Sequence, residues 1–157
     1  MEKRLKLVSV GGTFDVLHIG HKMLLKEAFE ISERVLIGVT SDEFARELHK
    51  PHIVDCYEKR LAELKKFLSE NNLLDRSIIV PLNDPYGPTI ENNEIEGIVV
   101  SEETEKRAEE INLLRVERGY RPLLIFCMKM VLAEDGKPVS STRIRRQETD
   151  RQGRLIG

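Results

Sequence analysis

Residues 10–21, reading Val-Gly-Gly-Thr-Phe-Asp-Val-Leu-His-Ile-Gly-His, stand between an apolar run at 5–10 and an amphipathic stretch at 20–32. An apolar run, two glycines and a helical pattern in that order constrain the chain to a strand, a tight turn and a helix. Glycine suits the junction because, without a Cβ, it lets the chain turn sharply and lets a ligand approach the backbone. At the first turn of the helix, free N–H groups and the positive end of the helix dipole point outward and favour anions. His18 and His21 are three apart, so helical geometry puts both rings on one face. An imidazole can donate to a phosphoryl oxygen, and its ordinary pKa of about 6.5 lets nearby anionic oxygens favour the protonated form. The junction is suited to holding the phosphates of a nucleotide.

Plainer roles fit the same residues one at a time. A histidine near a helix start also serves as a cap, and glycines after a strand also mark a simple turn. Two histidines at this spacing suit a metal as well. However, neither Cys56 nor Cys127 lies in a Cys-x-x-Cys pair and no His-Glu-x-x-His pattern occurs, so no protein metal site is expected. Neither Gly-x-x-x-x-Gly-Lys-Ser/Thr nor Gly-x-Gly-x-x-Gly is present, which leaves a P-loop NTPase and a dinucleotide oxidoreductase unsupported.

Further along, apolar runs at 35–39, 77–82, 97–100 and 123–132 read as strands after the first one. Between them, 20–32, 42–48, 57–68 and 102–118 read as helices, the first with Met23, Leu24, Ala28 and Ile31 apolar and the third with Leu61, Leu64 and Phe67 on one face. Strands alternating with helices predict an α/β fold. The expected form is a Rossmann-like doubly wound sandwich, with a five-stranded parallel sheet and helices on both faces. Ligands of such sheets bind beyond the carboxyl ends of the strands, where the strand order reverses. The loop at 83–94, with Pro85, Gly87 and Pro88, is long enough to border that site. Residues 1–157 are expected to form a single domain.

A formal net charge of -2 and 5% aromatic residues argue against recruitment of nucleic acid. Positive charge is instead concentrated at Arg143, Arg145, Arg146, Arg151 and Arg154. No apolar stretch approaches the roughly 20 residues that span a bilayer, and the run after Met1-Glu2-Lys3-Arg4 is too short for a signal sequence, so a cytoplasmic protein with no membrane partner is expected. Two separated cysteines give no disulfide framework and are expected to be buried thiols.

Gly12-Thr13-Phe14-Asp15 followed by His18-Ile19-Gly20-His21 resembles the first signature of the nucleotidyltransferase superfamily, and Val139-Ser140-Ser141-Thr142-Arg143-Ile144-Arg145 resembles its second. Alone, Ser140-Ser141-Thr142 reads first as an N-cap opening a solvated helix. Both segments, in order along an alternating strand and helix pattern, resemble the archaeal phosphopantetheine adenylyltransferases over nearly the whole chain. That resemblance implies transfer of an adenylyl group from ATP to 4'-phosphopantetheine, with Mg²⁺ carried by the phosphates and water. It implies catalytic roles for His21, at the α-phosphate, and His18, at the triphosphate. ATP would further be held by the Gly12 and Phe14 amides, by Thr13, by Gly20 beneath the nucleoside, and by Ser140, Ser141, Thr142 and Arg145 at the β- and γ-phosphates. The acceptor would meet Thr13, Asp15 and Lys50. Asp15 fits a helix cap equally well, and Arg60 on the third helix reads as an ion-pair partner. Gln147 stands where archaeal relatives often have glycine, which leaves the path of the tail open. Two other functions fit the motifs: a sister transferase acting on nicotinamide mononucleotide, flavin mononucleotide or a phospho-alcohol, and a noncatalytic ATP-binding module.

Overall fold

The computed structural model describes residues 4–48 and 53–156. Along the chain it forms β1 (Leu5–Gly12), α1 (Ile19–Ile31), β2 (Ser32–Thr40), α2 (Asp42–Leu48), α3 (Tyr57–Glu70), β3 (Ser77–Leu82), β4 (Gly97–Ser101), α4 (Glu105–Glu117), β5 (Leu124–Met128) and α5 (Ser141–Arg145). All five strands are parallel and lie in the order β3-β2-β1-β4-β5. The chain winds outward from β1 to β3, then crosses back to β4, so the order reverses between β1 and β4. These two strands pair only at Val8–Gly97 and Ser9–Ile98, whereas β1 and β2 stay in register as far as Gly12 and Val39. A crevice therefore opens at the carboxyl ends of β1 and β4, where doubly wound sheets bind ligands.

Strand alternation divides the core. Val8, Val10, Val35, Ile37, Val39 and Val99 face one way and bury against Leu25, Ala28 and Phe29 of α1 and Leu64, Phe67 and Leu68 of α3. Leu7, Leu36, Ile98 and Val100 face the other way and bury against Ala108 and Ile111 of α4. On that second face the carboxyl halves of β1 and β2 carry Ser9, Gly11, Gly38 and Thr40, whose side chains are too small to fill the layer. The space they leave is part of a cavity of about 800 Å³ under α4 and the 83–94 loop. Leu82 occupies its edge, resting over Gly11 and Gly38.

Several sequence expectations shift. The fifth strand ends at Met128 rather than 132, because β5 is the sheet edge, with Leu124 exposed, and the chain then folds back into a bridge between Leu132 and Pro138. Residues 102–104 form a turn before α4, where Thr104 Oγ1 accepts from the Ser101 N–H at 3.2 Å. The buried stripe of α1 is Leu25, Ala28 and Phe29, one position round from the expected one, and Met23 is left exposed at the cavity wall. Both cysteines are exposed, contrary to the expected burial: Cys56 precedes α3 and Cys127 lies on the edge strand. No helix among the described residues is long and apolar enough to cross a membrane.

A Cβ at Gly38 would stand 2.6 Å from Leu82 Cδ2 and 2.7 Å from Leu82 Cγ. Gly38→Ala is expected to destabilise the fold by ~1–3 kcal/mol in urea denaturation, and most of that loss should return in a Leu82→Ala background. Equal costs in both backgrounds would show that the contact does not set the packing.

Candidate active site

Between β1 and α1 the backbone enters conformations that L residues rarely adopt. Phe14 has φ 55° and Val16 has φ 47°, the latter an outlier for a β-branched side chain. Such strain persists only where surroundings over-determine it. Here Phe14, Val16 and Leu17 are buried anchors, and the intervening polar groups are tied from other elements. Arg60 of α3, itself 1% exposed, donates to the carbonyls of Thr13 at 2.9 Å, Thr40 at 2.6 Å and Asp55 at 2.8 Å, and to Asp42 Oδ1 at 3.2 Å. The ion pair expected of Arg60 is present, but its larger work is to clamp two loop carbonyls and the carbonyl that ends β2. Its place in a buried stripe with Leu64, Phe67 and Leu68 was the signal available in sequence.

Asp15 is buried, and it does not cap α1. Arg145 donates to it from Nη2 at 2.9 Å and from Nε at 3.2 Å, and the Asp55 N–H donates to Oδ1 at 2.9 Å. The Ser141 hydroxyl donates to the Asp15 carbonyl at 2.5 Å. The two signature segments are thereby brought into direct contact. Arg145 also reaches Asp55 at 3.2 Å; burial pushes the Asp55 carboxyl up, but Arg145 and Lys59 outweigh it and hold it below the usual range.

The cap of α1 is His18. Its Nδ1 accepts from the Gly20 N–H at 3.0 Å, while His21 Nδ1 accepts from the His18 N–H at 3.1 Å. A ring nitrogen that accepts carries no proton, so each neutral imidazole keeps its proton on Nε2. The rings stack at 3.8 Å between centroids, and the buried Phe14 ring supports His21 at 5.4 Å. Burial, aided by Arg151 and opposed by Asp15, lowers the His18 pKa to about 4; burial and His18 lower that of His21 well below its ordinary value. In the free protein burial sets the charge, and both rings are neutral donors. The room made by Gly20 is taken by His18 itself, since a Cβ there would lie 2.9 Å from His18 Cε1.

The cavity wall includes Gly12, Thr13, Asp15, His18, Gly20, His21, Ser140, Ser141, Thr142 and Arg145, so most of the candidate residues from both signatures converge. Phe14 contributes its buried ring beneath the wall, and Lys50 lies outside the described residues. Ser140 caps α5 by accepting from the Arg143 N–H at 3.2 Å, as the plainer reading of that segment expected, and its own O–H remains available to donate. Ser141 spends its proton on Asp15. Away from this polar end, Leu36, Ile98, Val100, Ala108 and Ile111 make an apolar bay bordered by Pro85, Tyr86, Pro88 and Thr89. Sequence reasoning had placed the 83–94 loop at the site but missed Arg115, which is buried and holds that loop through the carbonyls of Thr89 at 2.6 Å and Asn92 at 2.9 Å. The tail returns to the site as well: the Arg151 carbonyl accepts from the Ile19 N–H at 2.8 Å, after a turn in which Gln147 takes φ 60°, the conformation that glycine adopts most easily.

Residues 9–147 match the cytidylyltransferase-like family. The phosphopantetheine adenylyltransferase of Methanopyrus kandleri is 49% identical over 142 residues, covering 90% of each chain. That of Methanothermobacter thermautotrophicus is 47% identical over 156 residues, covering 99% of this chain and 93% of its own. A crystal structure of a protein of unknown function from Archaeoglobus fulgidus superposes with a TM-score of 0.70 at 35% identity, over 78% of this chain and 88% of its own. The chain belongs to the cytidylyltransferase-like family and, within it, to the phosphopantetheine adenylyltransferases.

Because the folded pKa of His18 lies below the unfolded value of about 6.5, the unfolded chain binds the extra proton between pH 6.5 and 4. The stabilisation is present above pH 6.5 and is lost as pH falls through about 4, with a size of roughly 3 kcal/mol. Urea midpoints measured from pH 7.5 to 4 should fall accordingly, and His18→Asn, which keeps a capping acceptor, should flatten the curve. Superimposable curves would refute the neutral His18.

Proposed function

We propose that this chain transfers AMP from ATP to 4'-phosphopantetheine, giving dephospho-coenzyme A and pyrophosphate, and that residues 1–157 act as one nucleotidyltransferase domain. The observation that carries the reading is the pair of Nε2–H donors, fixed by reciprocal hydrogen bonds, in a cavity with one polar end and one apolar bay. Kinship with proteins named for this activity supplies the acceptor.

The acceptor phosphate is already an oxyanion, so no general base is needed. One of its oxygens forms a bond to the α-phosphorus as the bond from that phosphorus to the β-phosphate oxygen breaks, and pyrophosphate leaves with the electron pair. The protein's task is to align two anions and stabilise charge on the group in transit. His21 donates to the α-phosphate and His18 to the triphosphate, each from Nε2. Thr13, with the backbone at Gly12 and Phe14, lies where acceptor and α-phosphate meet. Gly20 borders the nucleoside, and Ser140, Ser141, Thr142 and Arg145 form the β,γ-phosphate end. Asp15 and Lys50 belong to the acceptor side, and the apolar bay suits a long arm with few charges.

Among the described residues, no cluster of three His, Cys, Asp or Glu side chains is placed to hold a metal. The cavity carboxylates are Asp15, committed to Arg145, and the exposed Glu103. That donor set fits Mg²⁺ bound mainly by phosphate oxygens and water. Its contribution when bound is to neutralise charge on the triphosphate. Under this reading the enzyme works in the cytoplasm, with ATP and phosphopantetheine as its partners.

Pyrophosphate release with Mg²⁺ and ATP is expected with 4'-phosphopantetheine and not with nicotinamide mononucleotide, flavin mononucleotide or glycerol 3-phosphate. Release with another of these would move the chain to a sister activity, and ATP binding without release would make it a binding module. His21→Ala should lower kcat ~100- to 1,000-fold with little change in ATP affinity, the pattern of a donor used in the transition state. Parallel losses in both would contradict that role.

A further inference from the structure

The phosphate end of the cavity has donors in place, but the charge that would balance a triphosphate is held elsewhere than the second signature suggests. His18 and His21 are neutral there. Among the arginines near the carboxyl end, Arg143 is paired with Asp135 and Glu148, Arg145 with Asp15 and Asp55, and Arg151 with Glu63. Arg145 thus brings hydrogen-bond donors but no unbalanced charge. Arg154 carries no ion pair among the described residues and does not line the cavity.

Three cavity cations differ from these, the first being Arg107 on α4, which has no ion pair among the described residues. Arg146, the residue that closes α5, and Lys129, the first residue after β5, both line the cavity, and neither has an ion pair among the described residues. They approach the same end from different elements. The Val139 N–H donates to the Val131 carbonyl at 3.0 Å, which sets the 129–131 segment beside Ser140, and Arg146 follows Ser140 by one short helix. A leaving polyanion in a partly desolvated cavity must be met by positive charge that is not already cancelled, because an uncompensated charge there is costly.

We infer that Lys129 and Arg146 bind the β- and γ-phosphates of the nucleotide and the pyrophosphate that leaves, as unbalanced positive charge beside the second signature. The inference rests on ATP being the donor, as proposed above. It goes further by separating two tasks: Arg145 organises Asp15 and Asp55, while Lys129 and Arg146 carry the charge. Neither residue is singled out by the pattern of the second signature, which ends at Arg145.

Binding of inorganic pyrophosphate with Mg²⁺, followed by calorimetry on the full chain, tests this without any acceptor. Lys129→Gln and Arg146→Gln are each expected to weaken binding about tenfold and to reduce its salt dependence, with Lys129→Arg close to wild type. Arg154→Gln, a charge outside the cavity, should bind as wild type does. Unchanged thermal midpoints in all four variants confirm that each is folded. Wild-type-like affinity in Lys129→Gln and Arg146→Gln, equal loss in Arg154→Gln, or no pyrophosphate binding by the wild-type chain would overturn the inference. Acceptor-dependent turnover of the wild-type chain, measured in parallel, decides the proposed activity separately.

Discussion

A buried carboxylate must find partners or lose its charge, and Asp15 meets that demand by drawing in two distant parts of the chain. Its carboxylate takes Arg145 and the Asp55 N–H, and its carbonyl takes the Ser141 hydroxyl. Removing one member of such a set typically costs about 3–5 kcal/mol, because the other charge is left buried and unpaired. Hence the second signature, about 130 residues downstream, stands against the first. Arg60 completes the frame from below by joining the Thr13, Thr40 and Asp55 carbonyls. The positive φ values of Phe14 and Val16 are tolerable only inside this frame.

The same economy explains the cavity. A doubly wound sheet ordinarily fills both faces with large aliphatic side chains, and the face toward α1 and α3 does so here. On the opposite face Ser9, Gly11 and Gly38 withhold that volume near the carboxyl ends of β1 and β2. Stability forgone there is offset by the dense packing around Leu25, Leu64 and Leu68, which are all at 0% exposure. Small residues in a strand that is otherwise Val- and Ile-rich thus mark where the cavity enters the sheet layer.

Much of this was legible in sequence because periodicity and glycine placement report directly on backbone geometry. The strands at 5–10, 35–39, 77–82 and 97–100 were visible as apolar runs, and the junction at 10–21 was visible as a strand, a glycine turn and a helix. What stayed hidden were contacts between charged groups far apart in the chain. The sequence gives no sign that Arg145 pairs with Asp15, and Arg60 reads as an ion-pair partner until three carbonyls are found around it. Burial of the cysteines failed for a related reason. Whether Cys127 is covered depends on whether β5 is an edge, and strand order is a property of the whole topology, not of the local run.

The state of the two imidazoles follows from the helix start they occupy. Each Nδ1 is consumed by a backbone N–H that α1 would otherwise leave unsatisfied, so capping and tautomer selection are one event. A neutral Nε2–H can then face a phosphoryl oxygen without repelling its stacked neighbour, which two imidazolium rings at 3.8 Å would do. Such donors strengthen as charge develops on the oxygen they face and need no proton uptake beforehand. Under the proposed reading, positive charge kept on separate side chains at the pyrophosphate end would leave the rings free to respond to the transferring group alone, and one short helix start would then act as both a structural cap and a catalytic surface.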